Sequence, residues 1–169
     1  MTPITTDRLR LRRLTLDDAH FILDLVNQPS WLENIGDKGV RNLDDARDYV
    51  RNGPMAMYEQ HGFGLYCIER AADDAVMGLC GLIKRDTLDD VDIGYALLPQ
   101  YWGQGYAREA AQATLAHAVR DYGLQRIVAI TSPGNSSSAR LLESLGFRFE
   151  RLLALTRDDE VKLFGWSAA

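Results

Sequence analysis

A carboxylate, a glycine-bearing loop and the start of a helix follow one another within residues 92–110, and they set the chemical question. The run reads Asp92-Ile93-Gly94-Tyr95-Ala96-Leu97-Leu98-Pro99-Gln100-Tyr101-Trp102-Gly103-Gln104-Gly105-Tyr106-Ala107-Arg108-Glu109-Ala110. A strand ends at Pro99, a loop with two glycines follows, and a long helix begins at once. Glycine permits positive φ and lets another group come close to the backbone. The first N–H groups of a helix have no partner within it and carry the positive end of its dipole. Together these features describe an anion site, most naturally a cradle for a phosphate or pyrophosphate. A dinucleotide fingerprint would need glycine or alanine at position 108, where Arg108 stands, and no Walker A pattern occurs. A plain strand-to-helix turn, with its glycines there for tightness, also accounts for the loop taken alone.

The surrounding pattern supplies the elements that must hold this loop. Residues 4–14 alternate apolar Ile4, Leu9, Leu11 and Leu14 with Arg8, Arg10, Arg12 and Arg13, as in a half-buried strand. Thr15 caps a helix with Asp17 and Asp18 in its first turn, and Pro29 is expected to end it. A second helix starts at Asn42 and is expected to stop at Gly53-Pro54. Phe63 to Glu69, Val76 to Lys84 and Val91 to Leu98 read as strands joined by short polar turns, hence as antiparallel hairpins. From 104 to 122 the period changes to helical, with Ala107, Ala111, Leu115, Ala118 and Tyr122 on one face and Gly123 as the C-cap. Gln125 to Thr131 is an apolar strand, a short helix follows Asn135, and a final hairpin turns at Arg157-Asp158-Asp159. The order β-α-α-β-β-β-α-β-α-β-β predicts an α+β fold. Its sheet is mixed, because the crossover from 91 to 131 needs parallel strands and the hairpins need antiparallel ones.

At 169 residues the chain is long enough for one domain with a real core, and it carries no repeat or linker; one domain over 1–169 is expected. Nineteen basic against 24 acidic residues give a net charge of −5, which argues against nucleic acid or an anionic membrane as partner. Cys67 and Cys80 sit in apolar runs without metal-ligand spacing to His20, His61 or His117, so no metal site and two reduced thiols are expected. The segment Met1–Arg8 lacks the apolar core of a signal peptide, and no apolar run approaches a membrane span. A cytoplasmic protein, monomeric or homodimeric, is the expectation.

Three blocks carry a family resemblance. Gln100-Tyr101-Trp102-Gly103-Gln104-Gly105 is similar to the acyl-CoA-binding motif of the GNAT superfamily, Gln/Arg-x-x-Gly-x-Gly/Ala. The longer run, with its carboxylate-Ile-Gly-Tyr strand, looks like the branch that includes ribosomal-protein alanine N-acetyltransferases. Asn135 to Phe147 is similar to the Asn-x-x-Ser…Leu-Gly-Phe block of the family, and Thr6-Asp7-Arg8-Leu9-Arg10-Leu11-Arg12 to the opening of that branch.

The resemblance implies acetyl-CoA as co-substrate and an amine acceptor. It implies a mostly antiparallel sheet, flanked by helices and splayed between the strands at 91–98 and 125–131. The pantetheine arm would lie in that gap, paired with backbone groups of Leu97 and Leu98 like an added strand. Amides of Gly103, Gln104, Gly105, Tyr106, Ala107 and Arg108 would hold the pyrophosphate. Asn135 and Ser138 would face the cofactor, although Asn135 also suits plain helix capping. Acyl transfer to an amine needs a base, an oxyanion donor and a way to stabilise the leaving thiolate. Asp92 is the expected base, with Glu69 and Glu150 as weaker alternatives, and the amide near Leu98 is the expected oxyanion donor. The tyrosine acid that many members carry seven residues after the asparagine is replaced by Leu142, which leaves Ser138 as a substitute donor. A non-catalytic acyl-CoA-binding module is the competing reading. The acceptor should be gripped by Ser30–Lys38, with Trp31 and Ile35 as wall or core and Glu33 and Asp37 as acids suited to a cationic amine, and by the final hairpin.

Overall fold

The computed structural model describes residues 3–168; Met1, Thr2 and Ala169, the ends of the expected domain, lie outside them. The strands are β1 (Ile4–Thr5), β2 (Leu9–Arg13), β3 (Leu65–Arg70), β4 (Val76–Ile83), β5 (Asp92–Leu97), β6 (Arg126–Thr131), β7 (Arg148–Thr156) and β8 (Asp159–Ser167). The helices are α1 (Ala19–Leu25), α2 (Pro29–Asn34), α3 (Leu43–Val50), α4 (Ala56–His61), α5 (Tyr106–Tyr122) and α6 (Ser136–Ser144). All eight strands form one sheet in the order β1-β2-β3-β4-β5-β6-β8-β7. Every neighbouring pair is antiparallel except β5 and β6.

That exception opens the molecule. β4 and β5 pair from Gly78↔Leu97 to Ile83↔Asp92, and β6 and β8 pair along the whole of β6. Between β5 and β6 the register holds only at Asp92↔Val128, with Val128 N–H donating to Val91 O at 3.0 Å. Beyond that point the two strands diverge, and the sheet splits into two halves joined at the start of β5. The expected splayed, mixed sheet is the observed one.

Alternation along the strands sends side chains to two cores, one on each face. Tyr66, Ile68, Cys80, Leu82, Ile93 and Leu97 pack against α5, whose Ala110, Ala111 and Ala118 let the helix lie close to the sheet. Cys67, Leu79 and Leu98 pack on the opposite face against Ile22, Leu25, Trp31, Ala46 and Val50 of α1–α3. Both thiols are free and buried, and burial pushes each up to about 12.

Local caps follow the sequence. Thr15 accepts from Asp17 N–H at 3.2 Å, and Asp18 accepts from Thr15 N–H at 2.8 Å. Asn42 caps α3 by accepting from Asp45 N–H at 2.8 Å. Three boundaries differ from expectation. The strand expected over 4–14 is broken by a turn in which Thr6 N–H donates to Leu9 O at 2.9 Å, giving β1 and β2. Pro29 does not only terminate α1; it opens α2 as its first residue, where a missing N–H costs nothing. Gly53-Pro54 does not stop the second helix. Arg51–Met55 widens into a π turn that absorbs the proline, and the helix runs on as α4 to Gly62, whose φ of 80° closes it.

Candidate active site

The gap between β5 and β6 continues as a cavity of ≈ 1280 Å³ that passes from the start of α5 to the face covered by α2 and α3. At one end lies the glycine loop. Gly103 and Gly105 have φ of 73° and 82°, and Gly105 is the N-cap of α5. The first helical bond runs from Glu109 N–H to Gly105 O at 3.1 Å, so the amides of Tyr106, Ala107 and Arg108 precede it and find no acceptor within the helix. Their dipole end is not claimed by the acid in the same turn, because Glu109 is held by Arg8 Nε at 2.8 Å and by the Thr6 hydroxyl. Arg8 also donates to Gln104 O at 3.0 Å and lies 4.4 Å over the Tyr106 ring, fastening the loop to the chain ahead of β2. Sequence reasoning did not single out Arg8 for this; only the pairing of distant segments reveals it. The Arg108 side chain crosses to the last turn of α6, with Nε 3.3 Å from Ser144 Oγ and Nη2 3.4 Å from Ser144 O. There it meets the negative end of a helix, which relieves its unfavourable position at the start of α5.

Along the gap, the two leucines separate. Leu98 N–H donates to Met77 O at 2.9 Å and Leu98 O accepts from Tyr101 N–H at 3.0 Å, so both its backbone groups are turned inward. In an antiparallel ladder successive residues alternate in direction, and the Tyr95 and Leu97 N–H groups therefore face the gap. Leu97 O already accepts from Trp102 Nε1 at 3.0 Å. Of the two leucines, Leu97 presents its N–H to the gap and Leu98 does not.

Asp92 is fully buried at the closed end of the gap, not the solvated neighbour of Asp89 and Asp90 that its sequence context also allowed. Arg85 Nε lies 3.2 and 3.3 Å from its two oxygens. Burial pushes the Asp92 carboxyl up to about 6, with Arg85 opposing the shift. The alternative carboxylates are elsewhere: Glu69 pairs with Arg10 at 2.9 Å and Arg12 at 3.1 Å, and Glu150 with Arg126 at 2.7 Å, which holds it below its usual range. Neither lines the cavity.

Asn135 Oδ1 accepts from Ser138 N–H at 3.2 Å, which is the capping role open to it from the sequence. Ser138 Oγ sits 2.7 Å from the hydroxyl of Tyr95, and burial pushes that phenol up to about 12. Both line the cavity, as does Leu142, which is fully buried. Position 142 carries no tyrosine, but Tyr95 brings a phenol into the same cavity, a placement that spacing along the chain could not indicate.

On the acceptor face, Trp31 is 5% exposed and belongs to the core while also lining the cavity. Its indole N–H and the Thr131 hydroxyl are buried without a partner among the described residues. Glu33, Ile35 and Lys38 line the opening with Asp158 and Asp159 of the final hairpin. Asp37 does not; it pairs with Arg41 at 2.5 Å. Among the described residues no cluster of three metal-ligating side chains occurs, and no helix is long and apolar enough to cross a membrane.

A family model described as an acetyltransferase (GNAT) domain matches residues 8–148, and the chain belongs to that family. It is 30% identical over 154 residues to a protein named uncharacterized N-acetyltransferase p20 of Bacillus licheniformis, covering 90% of this chain and 86% of that one. Among solved structures, an acetyltransferase from Agrobacterium tumefaciens superposes with a TM-score of 0.85 at 25% identity, covering 99% and 95% of the two chains. RimL, a ribosomal L7/L12 alpha-N-protein acetyltransferase solved in complex with coenzyme A, shares the fold with a TM-score of 0.80 at 18% identity, covering 98% and 97%.

Proposed function

We propose that the protein transfers an acetyl group from acetyl-CoA to a primary amine by direct attack, in the cytoplasm. The observation that carries this reading is the unpaired gap between β5 and β6, with the free first-turn amides of α5 at one end and a buried carboxylate at the other. The residues fit the cofactor: nothing lies within 4 Å of a Cβ built on Gly103, and the Gly105 position is open except for the tip of Arg8 at 3.4 Å. Amides of Gly103 through Arg108 take the pyrophosphate, and the Tyr95 and Leu97 edge of β5 takes the pantetheine amides. Bound there, acetyl-CoA supplies an activated thioester carbonyl.

The protein contributes proton handling and alignment. Asp92 accepts the proton that the acceptor ammonium must lose before its nitrogen can attack; at about 6 its carboxyl is a better base near neutral pH than an ordinary aspartate. Leu97 N–H is the oxyanion donor in place of the Leu98 amide. Ser138 delivers a proton to the departing sulfur, the Tyr95 phenol replaces it across their 2.7 Å contact, and the second proton that the nitrogen sheds as the amide forms restores the phenol. This pair takes the place of the acid that Leu142 cannot be.

Mass spectrometry of the natively purified protein for bound CoA, followed by CoA release with a panel of amines, tests the reading. Release with an amine is the expected result. Binding without release under any acceptor would favour an acyl-CoA-binding module, the alternative that Leu142 supports. No binding would end both.

A further inference from the structure

The acceptor side of the cavity holds more hydrogen-bond donors than the chain itself satisfies. Arg85 meets Asp92 through Nε alone, and neither of its Nη groups donates a hydrogen bond to another described residue. Lys38 lines the same cavity, and its ammonium is pushed down by burial and by the neighbouring Arg85 charge, with Asp159 opposing. Tyr49 also lines it; its hydroxyl has no partner among the described residues, and it too feels the Arg85 charge. Trp31 lines the same cavity, but its unpartnered indole N–H is buried behind that lining. Two neighbouring cations beside the free Tyr49 hydroxyl form an arrangement that an anion between them would stabilise. The one acid buried on this side, Asp92, is already engaged by Arg85.

We propose that Arg85, Lys38 and Tyr49 bind a carboxylate carried by the acceptor, so that the acceptor is a small amino acid-like amine. This rests on the proposed acetyl transfer and narrows its substrate class. Holding the carboxylate on Arg85 brings the adjacent amine to Asp92, because one guanidinium contacts both groups. Glu33, Asp158 and Asp159 are exposed around the opening and would repel a second carboxylate, so neutral side chains are favoured.

The test uses acceptor pairs that differ only in the carboxylate: phenylalanine with phenethylamine, and methionine with 3-(methylthio)propylamine. Each is titrated by calorimetry into the full-length protein saturated with CoA, and each is assayed for CoA release from acetyl-CoA. The expected result is that the amino acid of a pair binds and is acetylated at least about tenfold better, since a site built to bond a polar group rejects the analogue lacking it. Lys38→Ala and Tyr49→Phe should each narrow that discrimination through KM, with the acetyl-CoA affinity unmoved, and Lys38→Arg should restore it. Equal or better use of the decarboxylated amines would overturn the carboxylate site while leaving acetyl transfer standing. Binding of the amino acids without CoA release would keep the site and remove the transfer reading. No binding of any amino acid would overturn the site outright.

Discussion

The burial that suits Asp92 to the base role proposed for it carries a structural cost. An aspartate that titrates at about 6 rather than about 4 penalises the ionised fold by about 3 kcal/mol. Because the folded state holds this proton more tightly than the unfolded chain does, the associated stability is present below about pH 4 and is lost as pH rises through about 6. Asp92→Asn should therefore raise the melting temperature at pH 8 and leave it unchanged near pH 4, as read by thermal scans at both values. The same substitution should lower kcat by roughly 10²–10⁴ at neutral pH, less at high pH where the amine is already neutral, and leave acetyl-CoA affinity alone. A wild-type kcat/KM profile without a limb near 6, together with full activity of Asp92→Asn, would remove Asp92 from the reaction. Tyr95→Phe tests the other proton. It should slow transfer from acetyl-CoA by roughly tenfold or more, yet have little effect with an aryl thioester, whose thiolate leaves without help. Equal losses with both donors would reduce Tyr95 to a structural contact. Leu142→Tyr is a poorer probe, because that position is fully buried and added volume there costs about 1–3 kcal/mol.

The loop and first turn of α5 act as one unit. Gly105 has φ of 82° and caps the helix while its surroundings stay open on the cavity side. A β-branched residue there is strained and projects a side chain toward the cradle. Gly105→Val should weaken acetyl-CoA binding by at least about tenfold in calorimetry while circular dichroism shows a folded protein. Unchanged affinity in the folded variant would put the cradle elsewhere. The clasps around this unit come from other elements: Arg8 ahead of β2 and Ser144 at the end of α6.

Across the whole molecule, the consequence of a sheet held together at Asp92↔Val128 is an edge that a ligand can complete. Filling the gap replaces exposed backbone groups with paired ones and ties the two half-sheets together. Acetyl-CoA at about a hundred times its Kd should stabilise the protein by about 2.7 kcal/mol, seen as a rise in melting temperature. Hydrogen exchange should slow at the Tyr95 and Leu97 amides and not at Leu98, whose N–H is already donated to Met77. Slowing at all three alike would mean general tightening rather than strand-like pairing.

Features that depend on neighbours a few residues away were legible in the chain itself. Thr15, Asn42 and Gly123 mark helix ends because a cap is made within one turn, and the glycines before Tyr106 announce an open helix N-terminus for the same reason. The hairpins and the single parallel crossover also followed from periodicity and connection length, whereas the seating of β8 between β6 and β7 did not. What the tertiary structure decided lies between residues far apart in sequence. Tyr95 meets Ser138 across 43 positions, and nothing near either residue signals the other. Asp92 changes from a solvated to a buried carboxylate only because β6 and Arg85 close over it, and desolvation is a property of surroundings rather than of spacing. That the Leu97 amide faces the gap and the Leu98 amide does not is set by the register of β5 on β4. Alternation makes every second amide face the partner strand, and that phase is set by pairing between strands, not by the strand's own residues.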